Sequence, residues 1–198
     1  MRMITSKKSA GRLAPQRIYQ LYVALEEVQP TIWRRLWVPA TLTLAKLDRV
    51  IQTAMGWTNS HLHEFVIAGC RYGMPDDEWP EDDPILDDRR HRVGAVLIDG
   101  VSEFAYTYDF GDNWRHTAII EKVMAPTELN TRPVCLAGKN ACPPEDVGGV
   151  GGHMDFLEAI RNPVHEEHIA MWRWCGGPFD PSGFDVNATN AAIRKLRR

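Results

Sequence analysis

Alternating apolar and polar residues predict two strands near the start of the chain. In residues 18–25, the alternate positions that share one face are all apolar: Tyr19, Leu21, Val23 and Leu25. Residues 32–38 alternate too, with Ile32, Arg34, Leu36 and Val38 on one face and Trp33, Arg35 and Trp37 on the other. Because successive side chains of a strand point to opposite faces, this period of two is typical of strands with one buried face. A turn through Gln29-Pro30 joins the two strands, and Pro39 ends the second.

A helical pattern follows over residues 43–55 and is the clearest in the chain. Its apolar positions recur at the spacing of one helix face: Leu44, Leu47, Val50, Ile51, Ala54 and Met55. Thr43 is a typical N-cap residue, and Gly56 stands where a glycine commonly ends a helix. The pattern therefore predicts a helix that packs one face against the sheet.

The remaining patterns predict fewer strands and more helix toward the C-terminus. A strand at 63–68 and a hairpin of strands 104–108 and 114–123 complete the predicted sheet. Residues 76–88, rich in acid and proline, predict a surface loop, and the glycine- and proline-rich residues 133–152 predict a structured loop. Three late helices are predicted: 154–160, 165–174, and a last one capped by Asp185 or Asn187 that runs to Leu196.

Together these elements predict an α+β fold. We expect a mostly antiparallel sheet of about five strands with helices packed against it, several of them in the C-terminal third. The apolar run at 93–98 is too short to distinguish strand from helix. A length of 198 residues suits one domain, so we expect a flexible basic tail at 1–17 and a single domain at 18–198.

Composition is that of an ordinary globular protein, with 44% hydrophobic and 25% charged residues. No run approaches the ~18 apolar residues of a membrane span, and residues 1–17 lack the apolar core of a secretory signal. The four cysteines are Cys70, Cys135, Cys142 and Cys175. They form no C-x-x-C pair and match no disulfide framework. We therefore expect a cytoplasmic protein with reduced thiols and no membrane partner.

Charge is distributed unevenly along the chain. Residues 1–17 carry five Lys or Arg and residues 194–198 carry four, with no acid in either tail. The body then holds 14 Lys or Arg against all 26 Asp and Glu, a balance of −12. Because contacts to phosphate dominate the affinity of proteins for nucleic acid, this acidic body is poorly suited to bind nucleic acid. Nucleic acid is expected as a partner only through the basic tails.

Two motifs combine imidazoles and carboxylates with aromatic residues. In residues 56–65, His61 and His63 would share one face of a strand and could ligate a metal. Alternatively, one caps the turn and the other packs beside Trp57. In residues 108–116, Asp109, Asp112 and His116 surround a predicted hairpin turn. They fit a cation or an oriented water, and turn chemistry explains them equally well, because Asp hydrogen-bonds its own backbone there.

A third motif, residues 141–153, places Glu145 and Asp146 before a run of glycines. Glycines before a helix allow backbone N–H groups to approach an anion, but the two acids would repel phosphate unless a metal lay between. No Lys-Ser/Thr pair follows, so this is not a P-loop. The alternative is an irregular connection. His165 and His168 are three apart, unlike the pair of a zinc protease, and no nucleophile motif is visible.

Seven residues make up the predicted polar site: His61, His63, Asp109, Asp112, His116, Glu145 and Asp146. The first five of these are also the candidate metal ligands. Burying ionisable groups is costly unless they pair or coordinate, so we expect these five, His61, His63, Asp109, Asp112 and His116, to converge. Two outcomes are open: a divalent metal centre, or a hydrogen-bonded network without metal. No residue is assigned a catalytic role.

These motifs resemble those of the plasmid pRiA4b ORF-3-like family, which includes insertion-sequence passenger proteins labelled TnpR. The resemblance spans residues 17–186 and is carried by the following segments: Pro30-x-Ile32-Trp33-Arg34-Arg35, Val38-Pro39, Leu44-x-x-Leu47, Gly56-Trp57, His61-Leu62-His63-x-Phe65, Tyr108-Asp109-Phe110-Gly111-Asp112-x-Trp114-x-His116, Cys142-Pro143-Pro144-Glu145-Asp146-x-Gly148-Gly149, Trp174 and Phe179-Asp180-Pro181.

The resemblance implies a fold and a bacterial or mobile-element setting, but no activity. The TnpR label suggests a resolvase, yet no nucleophilic serine backed by arginines and no helix-turn-helix is visible. Asp48 stands where the family often has His, Val147 where Cys is frequent, and His153 where Tyr is. The first two changes remove potential metal ligands. The leading hypothesis is a non-catalytic binding or interaction module. The alternatives are a metal-dependent hydrolase or nuclease, and a DNA-associated accessory protein.

The charge distribution gives a test of the DNA hypothesis. We expect weak, salt-sensitive binding of the full chain to duplex DNA, and its loss when residues 1–17 are removed, because the body carries −12. Fluorescence anisotropy at two salt concentrations measures both effects. Tight binding by the truncated protein would contradict the charge argument.

Overall fold

A computed structural model describes residues 17–75 and 84–196. Its elements are β1 Ile18–Leu25, β2 Trp33–Pro39, α1 Leu44–Met55, β3 His63–Ile67, β4 Cys70–Gly73, β5 Ile85–Asp87, α2 Val93–Val96, β6 Glu103–Tyr108, β7 Trp114–Met124, β8 Val134–Lys139, α3 Gly149–Arg161, α4 His168–Trp174 and α5 Val186–Lys195. The eight strands form one sheet in the order β5-β4-β3-β6-β7-β1-β2-β8. Residues 1–16 of the predicted tail and residues 76–83 of the predicted acidic loop lie outside the described residues.

The predicted α+β class is confirmed, while the strand count is wrong. Every pairing in the sheet is antiparallel except β4 with β5, which is parallel. The prediction of about five strands missed β4, β5 and β8, which are short or lie at an edge. Strand β8 and the first turn of α3 both fall within residues 133–152, where a loop was expected. Glycine weakens both types of element intrinsically, and here tertiary contacts override that preference.

A close approach explains the glycine within β8. A Cβ at Gly138 would lie 2.7 Å from Cδ of Arg34 and 2.7 Å from Cζ of Phe184. The edge of β8 is covered by α5, whose Asn190 side chain accepts a hydrogen bond from Cys135 N at 2.9 Å and donates one to Cys135 O at 2.8 Å. The last helix therefore satisfies backbone groups that an edge strand would leave open.

Helix α1 follows its prediction closely. Thr43 Oγ1 accepts a hydrogen bond from Lys46 N at 3.3 Å, and Gly56 ends the helix with φ 119°. The apolar face is fully buried against the sheet at Leu44, Leu47 and Ile51. The inner faces of the strands complete this main core. A smaller cluster of Phe156, Leu157 and Ile160 lies where α3 meets α4.

Arg34 is a buried cation on β2, between the end of α1 and the end of β8. Only 2% of it is exposed, and its donors reach carbonyl oxygens of Ala54 at 2.7 Å, Trp33 at 2.8 Å, and Lys139 and Asn140 at 3.0 Å each. Desolvation lowers its pKa. The carbonyls at the end of α1 carry the negative end of the helix dipole, which favours a cation there.

No helix within residues 17–75 and 84–196 is long and apolar enough to cross a membrane. All four cysteines are free thiols in the structure, and Cys135 is buried.

Replacing Arg34 tests its structural role. Arg34→Met should lower the free energy of unfolding by about 3 kcal/mol or more, because several buried carbonyls lose their donor together. Urea unfolding followed by circular dichroism measures the change. The matched control is Arg35→Met, which removes a partly exposed ion pair with Glu121 and should cost about 1 kcal/mol or less. Equal losses in the two variants would contradict a special role for Arg34.

Candidate functional site

Three segments meet at one end of the β3–β6–β7 part of the sheet. They are the turn between α1 and β3, the hairpin between β6 and β7, and the loop before α3. The Nε2 atom of His61 lies 3.1 Å from Asp146 Oδ1, 3.6 Å from Asp109 Oδ2 and 3.7 Å from Glu145 Oε2. All three motifs thus contribute to this group, but of the five residues expected to converge only His61 and Asp109 belong to it, and Glu145 and Asp146 join them from the third motif.

The hairpin fixes the orientation of Asp109. This residue has φ 56°, and its Oδ1 accepts hydrogen bonds from Gly111 N at 2.9 Å and Asp112 N at 3.3 Å. Its backbone N–H donates to Leu62 O at 2.9 Å, which joins the hairpin to the segment of His61. One carboxylate oxygen therefore serves the turn, and Oδ2 remains to face the imidazole.

Glu145 is held by the turn after α1. Its Oε1 accepts from Thr58 N at 2.8 Å and from Thr58 Oγ1 at 3.1 Å, and the Tyr108 hydroxyl lies 3.1 Å from both carboxylate oxygens. Burial raises the pKa of the Tyr108 phenol well above its usual value, so this hydroxyl remains a donor. The Ser60 N–H in turn donates to the Tyr108 oxygen at 3.1 Å. Glu145 is therefore committed to hydrogen bonds.

Asp146 lies at the apex of the loop and is the exposed member of the group. Its side chain is 71% exposed, and its backbone adopts φ 58°. Two residues later, Gly148 N donates to Asp112 Oδ2 at 3.2 Å. The loop is thus attached to the turn through Glu145 and to the hairpin through Gly148.

The imidazole of His61 lacks a hydrogen-bond partner at the atom that faces the carboxylates. Nε2 is shielded from solvent and forms no hydrogen bond of good geometry, although Asp146 Oδ1 is 3.1 Å away. Within residues 17–75 and 84–196, the recorded salt bridges of arginine residues are to other acids, and those of Asp109, Glu145 and Asp146 are to His61. The carboxylates of Asp109, Glu145 and Asp146 therefore surround a ring nitrogen that has no hydrogen-bond partner.

The distances suit a bound divalent ion. Ligand atoms about 2.0–2.2 Å from Zn²⁺ stand about 3.3–3.6 Å apart at the corners of a tetrahedron. One ligand atom each from His61, Asp109 and Asp146 lies within 4.8 Å of the other two. Three protein donors leave at least one coordination position open.

His63 belongs to a separate buried cluster. Its Nδ1 lies 3.3 Å from Asp48 Oδ1 and its Nε2 lies 2.8 Å from Asp88 Oδ2. Asp48 also accepts from Gln52 at 2.8 Å and Tyr106 at 2.7 Å. Burial raises the pKa of the Asp48 carboxyl, against the opposing effect of His63. Both nitrogens of His63 already face carboxylates, so the structure does not bring this residue to the His61 group.

His116 lies in the core rather than at the site. Its Nδ1–H donates to Tyr106 O at 3.2 Å, its Nε2 has no partner, and its ring meets Trp57 edge-on at 5.5 Å. Burial lowers the pKa of His116 to about 4. Desolvation also lowers the pKa of His153, on α3, to about 4. Both histidines are thus neutral packing residues near neutral pH.

Sequence reasoning missed two contributors to the site. Neither Thr58 nor Tyr108 was among the seven predicted residues. The ring of Tyr108 is buried, stacked 4.7 Å from Trp57, while its hydroxyl serves Glu145. The signal for Tyr108 was the alternation in β6, which points its ring inward next to Asp109 in the sequence, whereas no local pattern marked Thr58.

Comparison with known proteins gives the class of this chain. A family model described as plasmid pRiA4b ORF-3-like protein matches residues 17–188. The chain therefore belongs to the plasmid pRiA4b ORF-3-like family, as its motifs predicted.

Two relatives are similar to this chain over nearly its whole length. The uncharacterized protein y4hQ of Sinorhizobium fredii (strain NBRC 101917 / NGR234) is 41% identical over 180 residues, which cover 90% of this chain and 92% of y4hQ. The crystal structure of a protein of unknown function, MM3350 from Methanosarcina mazei Go1, matches with a TM-score of 0.78 and 34% identity, covering 88% of this chain and 97% of that chain. Neither name states an activity, so the geometry of the site has to supply the function.

The buried histidines give a test by pH. Unfolded histidine takes up a proton near pH 6.5, whereas folded His116 does so near 4, so folding loses stability as pH falls between these values. His116→Asn retains a donor for Tyr106 O but cannot titrate. As pH falls from 6.5 to 4, the free energy of unfolding of His116→Asn should therefore increase relative to that of wild type by up to about 3 kcal/mol. Urea unfolding across this range measures the difference. A difference independent of pH would contradict the burial of a neutral imidazole.

Proposed function

We propose that this protein is a non-catalytic binding module for a divalent cation, with His61, Asp109 and Asp146 as the ligands. One observation carries the proposal: the solvent-shielded Nε2 of His61 has no hydrogen-bond partner and faces a group of carboxylates. A buried polar atom without a partner calls for a specific explanation, and a missing ion is one of the standard ones.

The donor set favours a transition-metal ion. Imidazole nitrogen suits Zn²⁺ and similar ions, whereas Ca²⁺ and Mg²⁺ prefer oxygen ligands alone. Two carboxylates and one neutral imidazole balance the charge of such an ion. The departures at Asp48 and Val147 do not weaken this set, because Asp48 pairs with His63 and the Val147 side chain packs with the two apolar cores.

The surroundings of the ion favour binding over catalysis. A metal ion activates a bound water through its positive charge. The carboxylate ligands reduce this charge, and so does the carboxylate of Glu145, 3.7 Å from the His61 nitrogen. Glu145 accepts hydrogen bonds from three groups and is poorly suited to serve as a general base. The ligands come from three separate loops, so an ion would link segments that are distant in the sequence.

A metal-dependent hydrolase is the second candidate, because three protein ligands leave a coordination position open, as catalytic metal sites do. The DNA-accessory alternative depends on the basic tails, most of which lie outside the described residues. A bacterial mobile-element setting is supported by the plasmid-derived name of the family. A cytoplasmic location remains part of the proposal.

Metal titration tests the proposed site. The wild-type protein, purified with chelator and then dialysed, should bind one Zn²⁺ or Mn²⁺ per chain in isothermal titration calorimetry. Saturation at about 100 times the Kd should add about 2.7 kcal/mol to the free energy of unfolding. His61→Ala and Asp109→Asn should weaken binding by about 100-fold or more, because each removes a ligand rather than an outer partner.

Matched controls at surface positions are His165→Ala and Asp99→Asn, which should bind as the wild type does. Wild-type protein that binds neither ion would refute the proposal, as would undiminished binding by His61→Ala. Hydrolysis of bis(p-nitrophenyl) phosphate by the metal-loaded protein, lost in His61→Ala, would instead favour the hydrolase.

A further inference from the structure

We infer that Asp112 is a positioning residue that holds both carboxylate ligands of the cation site without itself binding the ion. This inference rests on the proposed function. Asp112 was predicted as a metal ligand, but its Oδ2 atom accepts the hydrogen bond from Gly148 N at 3.2 Å. It also lies outside the group of ligand atoms within 4.8 Å of one another, formed by His61, Asp109 and Asp146.

Asp146 needs support from outside its own side chain. Its side chain is 71% exposed, more than that of His61, Asp109 or Glu145, and in the described part of the chain its carboxylate has one polar contact, with His61 Nε2 at 3.1 Å. Its carboxylate can point at the ion only if the loop backbone is fixed. The Glu145 hydrogen bonds to Thr58 and Tyr108 fix one side of this residue. The bond between Gly148 and Asp112 fixes the other.

The contact between Asp112 and the loop is close as well as polar. A Cβ at Gly149 would lie 2.7 Å from Asp112 O, and Gly149 has φ 68°, a conformation that favours glycine. The hairpin and the start of α3 therefore meet backbone to backbone. This approach sets the distance between the loop that carries Asp146 and the hairpin that carries Asp109.

The same residue orients the other carboxylate. The backbone N–H of Asp112 donates to Asp109 Oδ1 at 3.3 Å, which helps direct Asp109 Oδ2 toward His61. Asp112 thus holds Asp109 through its main chain and the Asp146 loop through its side chain. Outer partners that orient metal ligands in this way typically affect metal affinity by about 10–100-fold.

Substitutions at Asp112 separate geometry from charge. Asp112→Asn keeps an oxygen that accepts from Gly148 N but removes the charge, so its Kd for Zn²⁺ should stay within about 3-fold of wild type. Asp112→Ala removes the acceptor, and Asp112→Glu keeps the charge but displaces the carboxylate by one methylene. Both should weaken Zn²⁺ binding by about 10–100-fold. Competition with a chromophoric chelator measures each Kd, and circular dichroism checks folding.

If Asp112→Ala does not fold, the comparison of Asp112→Asn with Asp112→Glu still decides the question. Equal weakening of the Asn and Ala variants would show a role through charge alone and overturn the inference. Wild-type affinity in the Ala and Glu variants would overturn it as well. Failure of the wild-type protein to bind Zn²⁺ or Mn²⁺ would instead refute the proposed function.

A double-mutant cycle tests the route of the effect. In an Asp146→Asn background, where that ligand is already impaired, Asp112→Ala should weaken Zn²⁺ binding much less than it does in wild type, because the two residues act through one contact. A full, additive loss in the double variant would overturn the inference that Asp112 acts through Asp146.

Discussion

The buried guanidinium of Arg34 is the interaction on which the rest of the structure depends. Its donors reach the last carbonyls of α1, its own strand and the end of β8, and Phe184 packs 4.2 Å over its charged group. A buried cation without a carboxylate partner is stable only if every donor is satisfied. The sheet, the end of α1 and the entry to the last helix therefore have to assemble together.

This constraint reaches the candidate site through both neighbouring segments. The turn that carries Thr58 and His61 leaves the end of α1, whose carbonyls bind Arg34. The loop that carries Glu145 and Asp146 begins just after Asn140, whose carbonyl also binds Arg34. Trp57 joins the two segments directly, because its indole N–H donates to Pro143 O at 3.0 Å. The rigid core thus sets the spacing of loops that would otherwise be free to separate.

Local sequence patterns predicted the elements that local interactions stabilise. The elements that they did not predict are stabilised by residues distant in the sequence. Helix α1 and the β6–β7 hairpin carry their own caps, turns and periodicity. Strand β8 has no such pattern and is a strand because β2 and Asn190 supply its hydrogen bonds.

The candidate site shows the same division. His61 and His63 were predicted to share a face, but β3 begins at His63, so His61 lies in the preceding turn and strand alternation does not apply. The partners of His63 are Asp48 on α1 and Asp88 after β5, and no local spacing connects the three. Glu145 and Asp146 were among the predicted polar residues because their motif combines acids with turn-forming glycines, but no local spacing predicted that they would lie beside His61.

The amide of Asn190 has a consequence for the behaviour of the protein in solution. An uncovered edge strand presents free N–H and C=O groups that can pair with a strand of another molecule. By bonding both backbone groups of Cys135, α5 blocks the start of β8 from such pairing. Helix α5 therefore protects this edge of the sheet from pairing with another molecule. Without α5, which begins at Val186, the edge would be exposed and prone to aggregation.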